Sequence, residues 1–218
     1  MFACGEVAPG EDSYYKVLES IRVGDSQEAL QEAASYLEKF PQGEHWQRLQ
    51  ALRLSVLFDQ QEYQQIVALV QQIDPQELGN QQQSVSYMLV GAYCLSGAYA
   101  ESVAAAEAYF SQWPAGRFTS DVRYFQAVSL ARQGYVDQAR SLFELILKSP
   151  ARLTDYAPRA RYELAFLDFK QLKYARAIKR LSQLLPTLVE NELKVASGLL
   201  LAQAHAGLRD RERAERVY

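Results

Sequence analysis

Residues 127–150 read AVSLARQGYVDQARSLFELILKSP, and this stretch decides the fold. Ala127 and Leu130 fall at helical spacing before Gly134, which permits the left-handed backbone that stops a helix. Five positions past that glycine stands Ala139, small enough to let two helices approach closely. Leu142, Phe143, Ile146 and Leu147 then share one helical face, and Pro150 ends the segment because proline cannot continue a helix. The stretch is therefore helix, turn, helix, stop.

The same unit recurs along the chain. Its turns are GDSQEA from Gly24, QEYQQI from Gln61, GAYAES from Gly97, GYVDQA from Gly134, LKYARA from Leu172 and RDRERA from Arg209. Their sixth residues are Ala29, Ile66, Ser102, Ala139, Ala177 and Ala214, separated by 37, 36, 37, 38 and 37 positions. Chance does not hold that register six times. Ile66 is the bulky exception, and it predicts a slightly wider second pair. Pro41, Pro75, Pro114, Pro150 and Pro186 fall at the phase where each second helix should close.

These residues resemble the tetratricopeptide repeat: Ala127, Leu130, Gly134, Ala139, Phe143 and Pro150 in one unit, Leu164, Ala165, Tyr174, Ala177 and Leu181 in the next. The usual period is about 34 residues, whereas this chain runs near 37. Longer units with Phe40-Pro41-Gln42-Gly43 and Trp113-Pro114-Ala115-Gly116 junctions look like the variant found in bacterial envelope proteins. Examples are the lipoprotein of the outer-membrane β-barrel assembly machinery and the periplasmic coordinator associated with Tol–Pal. The resemblance implies an all-α, right-handed superhelical solenoid of about six helix pairs, roughly twelve helices, without sheet. Residues 1–10 are expected to be a mobile leader before a solenoid over 11–218, with units near 11–43, 44–78, 79–116, 117–153, 154–190 and 191–218. The last unit stops midway through its second helix, so the natural protein is expected to continue.

Composition agrees with a helical protein: Ala, Leu, Gln, Glu and Arg are frequent, while Gly (11) and Pro (7) are few. No apolar run approaches the length that spans a bilayer. The net charge of −3 divides unevenly: residues 1–117 hold 6 basic and 15 acidic residues, and residues 118–218 hold 17 and 11. Such a dipole suits the orientation of a protein partner better than nucleic-acid binding, which calls for a strongly basic domain.

No catalytic or cofactor site is expected. The two histidines, His45 and His205, lie far apart, and no HExxH, GxSxG, P-loop or GxGxxG occurs. The two cysteines, Cys4 and Cys94, form no metal or redox pair, and Cys94 lies in an apolar helical stretch that predicts a buried thiol. Cys4 is a candidate lipidation site because Phe2-Ala3-Cys4-Gly5 has the form of a lipoprotein cleavage site. No charged and apolar signal segments precede it, so the form marks either a chain beginning just before a lipidated cysteine or a coincidence.

Surface shape remains. In a tetratricopeptide stack the first helices line the concave side. Ten positions before each turn stand Tyr14, Ala51, Tyr87, Tyr124, Tyr162 and Leu199; six before stand Leu18, Ser55, Gly91, Val128, Phe166 and Gln203. Tyr87, Tyr124 and Tyr162 would form a ladder, with Arg132, Arg159, Phe166, Phe169 and Lys170 beside its last rungs. Packing between helices and contact with a partner both account for tyrosine there. Arg48, Phe58, Asp59 and Asp121 are further groove positions.

The expected function is a scaffold or adaptor that holds a protein or peptide in this groove. Its expected setting is a bacterial envelope assembly, periplasmic or at the outer membrane, with membrane contact only through lipid on Cys4. A cytoplasmic protein, or the docking domain of a larger protein whose effector or catalytic part lies beyond residue 218, is the alternative.

Overall fold

The structure is a computed structural model and describes residues 10–148, 156–189 and 191–208. Cys4, Pro150 and the turn from Arg209 to Ala214 lie outside the described residues. Eleven α-helices occupy the described chain: α1 (Glu11–Val23), α2 (Ser26–Lys39), α3 (Trp46–Asp59), α4 (Tyr63–Val70), α5 (Gln82–Leu95), α6 (Tyr99–Gln112), α7 (Thr119–Arg132), α8 (Val136–Lys148), α9 (Ala157–Lys170), α10 (Tyr174–Leu184) and α11 (Glu192–Gly207). Among the described residues there is no strand. Two compact units result, Met1–Ala98 and Tyr99–Tyr218, the first holding α1–α5 and the second α6–α11.

The turn register read from the sequence appears in the backbone. Gly24, Gln61, Gly97, Gly134 and Leu172 all have positive φ, at 83°, 63°, 87°, 90° and 59°. The amide of Gly134 donates to the Ala131 carbonyl (3.2 Å), and that of Tyr135 donates five residues back to Leu130 (2.9 Å). The same double closure ends α1 at Gly24 and Asp25, α3 at Gln61 and Glu62, and α9 at Leu172 and Lys173. Two of the five turns therefore force a side-chain-bearing residue into the left-handed region, where its Cβ crowds the backbone.

The small positions also hold. Ala29, Ile66, Ser102, Ala139 and Ala177 are all buried. Ile66 packs with Leu54, Leu57, Leu78, Val85 and Met88 in the core of the first unit. A second cluster there joins Tyr14, Val17, Ala33, Tyr36 and Leu49. In the second unit Ala165, Leu181, Leu200 and Leu201 meet between α9, α10 and α11. Tyr36 also ties consecutive repeats together: its hydroxyl accepts from the His45 amide (3.4 Å), as that of Tyr109 accepts from the Phe118 amide (3.0 Å). Cys94 is buried in α5, as its apolar surroundings predict.

Proline usage differs from the expectation at one place. Pro41 and Pro114 follow the ends of α2 and α6, and Pro186 sits in the short 3-10 turn Leu185–Thr187 that finishes α10. Pro75 does not close α4, which has already ended at Val70. It instead opens a 3-10 segment, Pro75–Gln81, where Asp74 accepts from the Gln76 amide (2.9 Å). A proline in the first turn of a helix loses no hydrogen bond, and an Asp before it caps the free amides. The second pair is thus irregular through a short second helix.

Candidate functional site

The tyrosine positions divide by what lies next to them. Tyr14 is buried and stacks on His45, the residue that opens α3 (centroids 3.8 Å, planes 13° apart). Tyr124, 8% exposed, stacks in the same way on Tyr156, which opens α9 (4.5 Å, 16°). An aromatic residue at the start of the next first helix thus covers the tyrosine of the preceding one. Tyr124 is consequently spent on packing and offers a partner little surface. Before α11 the helix cap comes two positions earlier in the register, at Asn191, whose side chain accepts from the Lys194 amide (3.0 Å). The position sixteen before the turn, where His45 and Tyr156 stand in their units, is Leu193, which carries no ring. Tyr162 has no such cover from it and stays half-buried, stacked on Phe166 one turn along α9 (6.4 Å, 18°). Tyr87 is half-buried in the first unit, with its ring 6.2 Å from that of Phe58.

One face of the second unit gathers four of the expected residues. Phe166 is half-buried, and two exposed cations lie over its ring: the Arg132 guanidinium from the end of α7 at 5.6 Å and the Lys170 ammonium at 5.5 Å. Tyr162, Phe166 and Lys170 are spaced four apart on α9, so helical geometry aligns them. Such cation–ring contacts leave the charged groups available to solvent and to an anion. Phe169 turns away from this cluster and meets the Tyr174 ring of α10 edge-on (5.5 Å). Arg159 is exposed in the first turn of α9, where it lines a cleft of about 400 Å³ with Thr187, Leu188, Val189 and Glu192.

Two buried carboxylates were not singled out from the sequence. Glu163 is 7% exposed, and its Oε1 lies 3.7 Å from Arg132 Nη2. Burial pushes its carboxyl above the usual range, against the opposing pull of Arg132 and Arg159. The same burial raises the Tyr162 hydroxyl, helped by Glu163 and opposed by Arg132. Asp168 is fully buried and held by Arg140 of α8 and Arg180 of α10, each at 2.9 Å. The repeat register contains a signal for Glu163. Nine positions before the turns the other units carry Tyr15, Leu52, Met88, Phe125 and Leu200, all apolar or aromatic.

Among the described residues, no group of three or more His, Cys, Asp and Glu is placed to hold a metal, and no helix is long and apolar enough to cross a membrane.

The helix pairs, left-handed turns and buried small residues define a tetratricopeptide-type fold. Solved structures agree. The apo form of the quorum sensor NprR from B. thuringiensis matches with a TM-score of 0.79 at 16% identity, over 98% of this chain and 64% of that one. BtubC from P. vanneervenii matches at TM-score 0.63 and 14% identity, covering 94% of this chain and 87% of that one. A tetratricopeptide repeat protein from Parabacteroides merdae matches at 0.58 and 13%, covering 95% and 90%. This chain spans just under two thirds of the quorum sensor. No protein-family model and no curated protein matches the sequence.

Proposed function

We propose that the protein is a binding module that holds a partner protein or peptide against the face formed by α7 and α9, without chemical turnover. The observation that carries this reading is the Arg132–Phe166–Lys170 arrangement beside half-buried Tyr162. A half-buried aromatic pair offers contact area at low entropy cost, and two exposed cations orient an anionic segment. No nucleic acid is involved in this reading, because the second half of the chain interleaves 11 acidic residues with its 17 basic ones. The test is photo-crosslinking from position 166 in the natural host. A discrete partner is expected, lost in Arg132→Glu. Labelling that is unchanged in a folded Arg132→Glu protein would refute the reading.

The envelope setting and lipid on Cys4 belong to the proposal, and the repeat period and the Phe2-Ala3-Cys4-Gly5 sequence support them. Fractionation of the native host and the mass of the N-terminal peptide test both. The second reading is a docking domain within a larger protein whose effector or catalytic part lies beyond residue 218. Sequencing of the complete gene distinguishes the two.

A further inference from the structure

We propose that this face takes a partner's carboxylate by exchange: the incoming group replaces Glu163 as the counter-charge of Arg132, and Glu163 then takes up a proton from solvent. The proposal rests on the partner-binding reading above and adds the chemistry of the occupant.

Arg132 is held loosely by its own chain. At 3.7 Å its Nη2 is beyond hydrogen-bond distance from Glu163 Oε1, and its guanidinium is exposed over the Phe166 ring. A guanidinium has five donors in a fork that matches a carboxylate, so a ligand able to approach within hydrogen-bond distance outcompetes Glu163. Lys170, over the same ring, supplies a second positive charge to that ligand. The occupant is therefore a segment with a carboxylate next to an apolar side chain, the latter for Phe166 and Tyr162.

The consequence falls on Glu163. Its Oε2 is buried without a hydrogen-bond partner. The charged groups acting on it are Arg132 from α7 and Arg159 one turn earlier on α9, with the Tyr162 hydroxyl beside it. Arg140 of α8 and Arg180 of α10 are engaged on Asp168, and the ionisable residues of α11 are Glu192, Lys194 and His205. Once a ligand neutralises Arg132, the buried carboxylate keeps only exposed Arg159 as a cation, and neutralisation by a proton becomes the lower-energy state. Binding and proton uptake are then linked, and affinity rises as pH falls towards 6.

The experiment is calorimetry near pH 6, in two buffers of different ionisation enthalpy, with the peptide acetyl-Glu-Phe-Glu-Phe-Glu-amide and its all-Gln counterpart. The wild type should bind the Glu peptide with uptake of up to about one proton. Glu163→Gln, close in shape, should bind it roughly fivefold tighter with no uptake. Arg132→Gln should bind it more weakly, also with no uptake, and carries the test if Glu163→Gln fails to fold. Uptake that persists in either variant, or binding by wild type without uptake, overturns the exchange but leaves the face as a binding site. Equal binding of the Gln peptide does the same. If neither peptide binds the wild type, the partner-binding reading falls and the exchange with it.

Discussion

The turn register makes opposite predictions at one structural position in two repeats. Gly134 has φ +90°, and a Cβ built there meets nothing within 4 Å. Gly134→Ala therefore introduces no clash, and its effect is conformational. The left-handed region costs an L-residue about 1–2 kcal/mol. Loss of glycine's freedom in the unfolded chain returns about 0.4–1 kcal/mol. Net destabilisation is thus about 1 kcal/mol, or roughly 2–4 °C in thermal midpoint for a chain of this size. Gln61 has φ +63° and an exposed side chain, so Gln61→Gly reverses the balance and should stabilise by a similar amount. Urea unfolding followed by circular dichroism and differential scanning calorimetry measures both. Repeats touch only their neighbours, so the change should register in the transition of the unit that carries the mutation. A neutral Gly134→Ala together with a destabilising Gln61→Gly would refute the left-handed turn as the device that ends each first helix.

Other outcomes follow from packing and charge. Ala139→Leu and Ala177→Leu should each destabilise by roughly 1–3 kcal/mol through overpacking at a buried helix contact, seen as a lower thermal midpoint. Asp168→Ala leaves Arg140 and Arg180 without their shared carboxylate. Because both arginines are partly exposed, its cost in urea unfolding should fall somewhat below the ~3–5 kcal/mol of a fully buried pair. Glu163 has a folded pKa raised by burial, so its ionisation opposes folding, and its contribution to stability is lost as pH rises through that pKa. Glu163→Gln should consequently raise the thermal midpoint more at pH 7.5 than at pH 4. Equal shifts at both values would show that burial does not raise its pKa above that of the unfolded chain.

The sequence alone determined the helix pairs, because a helix, its stop and its close-packing position all lie within one local window. Gly24, Gly97 and Gly134 announce their turns through chemistry that only their own backbone needs. The period then places Gln61 and Leu172 at the same phase, although neither looks like a left-handed residue. Pro75 shows the limit of that logic, since a proline marks either the end of one helical segment or the start of another. Its preceding Asp74 was the local clue to the second. Tertiary structure decided the site. Whether a tyrosine is mortar or surface depends on the residue at the start of the next repeat's first helix: Tyr156 covers Tyr124, and Leu193 at the same register gives Tyr162 no ring to stack on. Glu163 and Asp168 likewise read as ordinary helix-face acids until stacked neighbours bury them. Burial and charge pairing are set by which helices stack, so a carboxylate's environment cannot be deduced from its own helix alone.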